Sequence, residues 1–241
     1  MRTSLLISLF VLFFGFTPDT SVTFDKVFPS EFHSAYSYVQ KNKNTFTTTC
    51  KQYGNTTSLL TAIVFPELMR YDLLSDFMET MALELVYVQF GPKAADFSVG
   101  RFQMKPSFAE SIEMEIEKND ALRLKYADLL LSANDDLKVQ RSKRVERLKN
   151  LRFQLKYANA FLSICEMRFS SDELVGEAEK VKLYSTAYNA GYYNDKKRLN
   201  QLATYSFYPY GRNHSGNQYP YWKVSQFFSE YASSKRLFCL R

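Results

Sequence analysis

Three stretches set acid and amide side chains among bulky neighbours: "LLTAIVFPEL", with Glu67; "SVGRFQMKPSFA", with Ser98, Gly100, Phe102 and Gln103; and "LYSTAYNAGYY", with Tyr188, Asn189 and Gly191. Glu67 stands between Phe65, Pro66 and Leu68. An apolar setting disfavours a charged carboxylate, so such a glutamate can keep its proton near neutral pH and hand it to a leaving oxygen. The alternative is a surface glutamate at a helix end. Gln103 and Asn189 carry amides that donate and accept at once, which suits sugar hydroxyl and acetamido groups. Either can equally satisfy buried backbone. Gly100 lets the chain turn tightly or approach a ligand closely. Tyr188 can bond the Glu67 carboxylate, stack on a sugar ring or fill the core. Should a second carboxylate be needed to position a water, Asp72, Asp76, Glu79 and Asp96 are the candidates.

Other chemistries find no support. The chain has no P-loop, no dinucleotide glycine fingerprint and no Ser-centred nucleophile elbow. Two histidines, His33 and His214, and three distant cysteines give no metal-ligand spacing, so neither a metal nor another cofactor is expected. Cys50, Cys165 and Cys239 allow at most one bridge, and Cys165 falls on an apolar helical stripe that suits a buried thiol.

The elements that must position these residues are helical. At 241 residues, 46% apolar and 16% aromatic, the chain can bury a full core as one globular domain. Arg2 followed by "LLISLFVLFFGF" reads as a signal peptide over residues 1–21, too short to span a membrane and implying export, so residues 22–241 form the mature domain. Thr57 or Ser58 caps a helix expected to stop near Phe65, where Pro66 disturbs it and leaves Glu67 at its C-terminal end. A second helix fits residues 71–90, with Leu73, Phe77, Met81, Leu85 and Val88 on one face and Gly91-Pro92 as its stop. Pro106 opens another reaching Glu117. Leu148, Leu151, Leu155, Ala158, Leu162 and Cys165 predict one long helix from about residue 137, and its stretch "LKVQRSKRVERLKNLRFQLK" holds much of the basic excess behind the net charge of +6. That basic face is either solvated or drawn to an anionic envelope surface; nucleic acid is not expected of an exported chain. Further helices fit residues 119–132, 172–190, 195–204 and 222–234, and a short hairpin fits 95–104. The fold class is therefore mostly α with at most a small β-hairpin.

In this order the three stretches resemble the lytic transglycosylases and goose-type lysozymes, which cut peptidoglycan. In that family an apolar helix ends in the catalytic glutamate, a Gly-Leu-Met-Gln segment with a following proline lines the cleft, and Ala-Tyr-Asn-x-Gly closes it. Gly100, Phe102, Gln103 and Pro106 match the second block, and Ala187, Tyr188, Asn189, Ala190 and Gly191 match the third. The closing "YPYWKVSQFFSEYA", with Tyr221, is similar to the family's late helix, so the likeness covers about residues 55 to 232. Two departures stand out: Leu68 replaces the serine that usually follows the glutamate, and the stretch from Glu67 to Gly100 is longer than usual.

The resemblance implies a lysozyme-like α-helical domain in the periplasm or cell envelope of a bacterium. It further implies that Glu67 acts alone, first as acid and then as base, on the β-1,4 bond between MurNAc and GlcNAc. Ser98, Gly100, Phe102, Gln103, Tyr188, Asn189, Gly191 and Tyr221 would then bind the glycan strand. The aromatic-rich end of the chain, with the turn-rich "YPYGRNHSGNQYPYW", is expected to edge the cleft. Two other classes stay open: a weakly active or inactive glycan-binding relative, and an envelope structural partner that reuses the fold with its cleft filled.

Overall fold

The computed structural model describes residues 22–73, 77–169 and 176–238. Helices α1 (Phe24–Val27), α2 (Pro29–Lys41), α3 (Lys43–Gln52), α4 (Thr57–Leu73), α5 (Phe77–Phe90) and α6 (Pro106–Lys118) make up the first half. The second half holds α7 (Asp120–Tyr126), α8 (Leu137–Lys149), α9 (Leu151–Phe169), α10 (Glu177–Ala190), α11 (Lys196–Leu202) and α12 (Tyr221–Ser234). The protein is mostly α. The hairpin expected over 95–104 reduces to a single bridge, in which Val99 and Met104 exchange backbone hydrogen bonds of 2.9 and 3.2 Å. The signal segment, Asp76 and Cys239 lie outside the described residues, as do the side chains of Asp72 and Glu79.

At the centre is α4. Leu59, Leu60, Ala62, Ile63, Val64, Phe65, Leu68 and Met69 are all buried, so this helix is apolar around its whole circumference and must be enclosed. It packs against α2, α10 and α12. Phe65 stacks on Phe228 of α12 with ring centroids 3.8 Å apart. A lone carboxylate on such a helix is removed from water by the helix's own neighbours.

The structure moves three sequence-based boundaries. First, α4 runs through Pro66 to Leu73 instead of stopping at Phe65, so Glu67 sits within the helix. Proline removes one donor from the ladder. The Tyr221 hydroxyl donates to the Ile63 carbonyl at 3.1 Å and that of Tyr208 to the Pro66 carbonyl at 3.0 Å, so side-chain donors serve the turn that proline weakens. Second, the long helix expected from residue 137 divides into α8 and α9 at Asn150, whose backbone is extended and whose side chain accepts from the Arg152 N–H at 2.9 Å. Third, the face expected inward on residues 71–90 faces outward at Met81 and Leu85, which are 52% and 69% exposed, while Tyr87 is fully buried. Along α5 the inward side is set by Tyr87, with Leu83 and Val88 packed partly against the core, and Met81 and Leu85 lie on the opposite side.

The basic face of α8 is also less free than its composition suggests. Arg144 is buried, 2.6 Å from Glu113 and 3.1 Å from Glu110, and it donates to the Tyr87 hydroxyl at 2.8 Å. This network pins α8 to α5 and α6. Cys50 and Cys165 are buried free thiols, and burial raises both, Cys50 to about 11.

Candidate active site

Glu67 from α4, Ser98 and Gln103 from the bridged turn, and Tyr188 and Asn189 from α10 line one small cavity of about 110 Å³, together with Arg70, Met104, Lys105 and Phe108. Residues more than a hundred positions apart thus meet at one carboxylate. The cavity adjoins a cleft of about 540 Å³, and Arg70, Ser98, Gln103 and Asn189 border both. The far wall of the cleft is the aromatic end of the chain, with Tyr205, Phe207, Tyr208, Tyr210, Tyr221 and Trp222. Arg212 and Arg70 are the charged residues on its lining.

Glu67 is only 4% exposed. Burial raises its pKa above the ordinary carboxylate value, against the opposing pull of the Arg70 guanidinium and the Tyr221 hydroxyl. One guanidinium nitrogen, Arg70 Nη1, reaches Oε1 at 3.0 Å and Oε2 at 3.2 Å. Arg70 also lies over the Tyr208 ring at 5.3 Å and the Tyr221 ring at 6.0 Å. The carboxylate pushes the buried Tyr188 and Tyr221 hydroxyls upward after desolvation has already done so, which keeps both neutral donors.

Each remaining position has a definite place. Gln103 has a left-handed backbone, φ 47°, and its side-chain amide donates to the Gly100 carbonyl at 2.9 Å, closing the turn while its other groups face the cavity. Asn189 is exposed at the cavity mouth, where its amide makes no hydrogen bond among the described residues. Tyr188 bonds neither the carboxylate nor open solvent: its hydroxyl donates to the Phe102 carbonyl at 2.9 Å, and its ring packs edge-on against Phe108 and Phe161. Tyr221 is buried against α4 and borders the cleft.

Three expected ligand contacts are corrected. Gly100, at φ 69°, faces away from the cavity, and a Cβ there would meet the Gln154 side-chain nitrogen at 2.2 Å and the Leu148 carbonyl at 2.4 Å. It is needed for packing of the turn on α8 and α9. Phe102 is fully buried beside Phe46, and its N–H donates to Gln154 Oε1 at 2.9 Å, so it anchors the turn from beneath. Gly191, at φ 99°, ends α10, and a Cβ there would meet the Tyr193 ring at 2.5 Å. Both glycines let neighbouring chain approach, and neither lines the cavity.

Asp96 is likewise occupied: it accepts from the Ser107 N–H at 3.1 Å and the Ser107 hydroxyl at 2.8 Å, at the first turn of α6. Arg70 was missed by the sequence reading. Its signal is the three-residue spacing from Glu67, which has meaning only on a helix that continues past Pro66. Among the described residues, none from Met81 to Asp96 lines the cleft. Comparison of the chain with known protein families, curated proteins and solved structures finds no match.

Proposed function

We propose that this chain is an exported peptidoglycan-cleaving enzyme, a lytic transglycosylase or lysozyme-type glycosidase. The observation that carries the reading is the convergence of Glu67, Gln103 and Asn189, one from each of the three motif stretches, on a single cavity beside an aromatic-walled cleft. Glu67, desolvated and raised, gives its proton to the bridging oxygen as the bond from the MurNAc anomeric carbon breaks. The resulting carboxylate then takes a proton from the hydroxyl that attacks that carbon, supplied by the substrate or by water. Asn189 offers an amide at the mouth for acetamido or hydroxyl groups, and the aromatic wall offers faces for sugar rings. The test is digestion of purified peptidoglycan with mass spectrometry of the released muropeptides. Anhydro or reducing MurNAc ends support the reading, and intact glycan strands overturn it.

A second reading rests on one observation. The Arg70 ion pair favours the charged form of Glu67, which a general acid must not keep, and a glycan-binding relative would tolerate it. Sedimentation of the protein with peptidoglycan that it leaves uncut would favour this reading.

A further inference from the structure

We propose that the outer face of α5 is a docking surface that lies on an anionic lipid bilayer. Met81, Leu85, Val86 and Phe90 are 52%, 69%, 36% and 72% exposed. With exposed Ala82 and Gln89 they occupy about half of the helix circumference at 3.6 residues per turn. From Met81 to Phe90 that half carries no charged side chain, and Glu79, on the same side by its seven-residue spacing from Val86, has its side chain outside the described residues. Glu84 turns to the other side, where it accepts from Lys149 at 2.8 Å. A contiguous apolar face on a water-exposed helix marks a surface that is covered in use.

The border of the face is basic. Lys93 is exposed just beyond Phe90, past Gly91 and Pro92. Helix α8 packs alongside, and Arg141 reaches the Val88 and Gln89 carbonyls at the end of α5, both at 3.4 Å. Between Leu137 and Lys149 this neighbour carries six Lys or Arg against one Glu. Arg144 is spent inside the protein on Glu113, Lys143 pairs with Asp135 at 2.7 Å and Lys149 with Glu84, which leaves exposed Lys138 beside Lys93 and Arg141, and Leu137 and Val139 add apolar surface at 64% and 39% exposure. An apolar helical face bordered by cations, with an aromatic near its basic end, is the composition of an element that rests in a lipid headgroup layer. No helix among the described residues is long and apolar enough to cross a membrane, so the contact is peripheral. A second copy fits less well, because a symmetric pair would bring the two basic borders together.

This inference is independent of the cleavage reading, since none of these residues lines the cleft. The test uses the full chain carrying Phe90→Trp and vesicles with brominated acyl chains, read against the wild-type emission of Trp222. Mixed phosphatidylglycerol and phosphatidylcholine vesicles should quench the added tryptophan and shift its emission to the blue. Adding Leu85→Glu should lower apparent vesicle affinity at this site by about tenfold or more. Absence of quenching, equal quenching by pure phosphatidylcholine vesicles, or quenching indifferent to Leu85→Glu overturns the proposal. So does a blue shift that grows with protein concentration without vesicles, which would assign the face to a second copy.

Discussion

Arg70 Nη1 bridges both oxygens of the Glu67 carboxylate, at 3.0 and 3.2 Å, one helical turn further along α4. The pair sets the acid's two opposing influences side by side. Burial favours the neutral carboxyl, and the guanidinium favours the charged one. Desolvation is the larger, so the group is raised.

The first consequence concerns Glu67→Gln. The change keeps size and hydrogen-bonding capacity but removes the proton, so release of muropeptides should fall by about a hundred- to ten-thousand-fold. Circular dichroism should report the same helical content. Unchanged release would move the acid to another carboxylate.

Arg70→Met should shift the pH profile. Without the guanidinium Glu67 holds its proton to higher pH, so the alkaline limb of the cleavage rate moves upward, and Arg70→Lys should bring it partly back. The sign for stability follows from the same raised value. In wild type the favourable contribution is present below the ordinary glutamate value of 4.5 and is lost as pH rises through the raised folded value. Rate profiles and melting curves across pH check both signs.

Gly100→Ala separates packing from ligand contact. Its φ of 69° and the 2.4 Å approach of the Leu148 carbonyl leave no room for a methyl group. The cost should be about 1–3 kcal/mol, which for a chain of this size lowers Tm by roughly 2–4 °C per kcal/mol. Retention on peptidoglycan, per folded molecule, should not change. A selective loss of retention at unchanged Tm would return Gly100 to the glycan-binding surface.

Asn189→Ala should do the reverse. The side chain is exposed and unbonded among the described residues, so stability should stay within about 0.5 kcal/mol. Loss of one or two hydrogen bonds to the glycan should weaken retention by about three- to tenfold, measured by co-sedimentation with uncut peptidoglycan.

Much of the helical layout was legible because local signals act over short range. Pro106 opens α6 and Gly191 closes α10 where their chemistry requires. What misled the reading was tertiary compensation. Pro66 would break an isolated helix, yet α4 continues through it enclosed by α2, α10 and α12, and the Tyr208 and Tyr221 hydroxyls, from more than 140 residues away, bond the Pro66 and Ile63 carbonyls. Helix α2 carries Phe32, Ala35, Tyr36 and Val39 at helical spacing, and it is held by rings such as Phe32 against Phe65 and Tyr231.

The sequence by itself determined the helical class, the three motif stretches and the apolar surroundings of Glu67, because all of these depend on residue type and near neighbours. Only the tertiary structure decided which motif residues reach the cavity. Gly100, Phe102 and Gly191 stand within the same short stretches as Gln103 and Asn189, but the chain turns them into the packing beneath, where Gln154, Phe46 and Tyr193 meet them. It decided the state of the acid as well. The partner of Glu67 is Arg70 only because the helix continues past its own proline, enclosed by α2, α10 and α12 from parts of the chain that no local pattern of residues 57–73 contains.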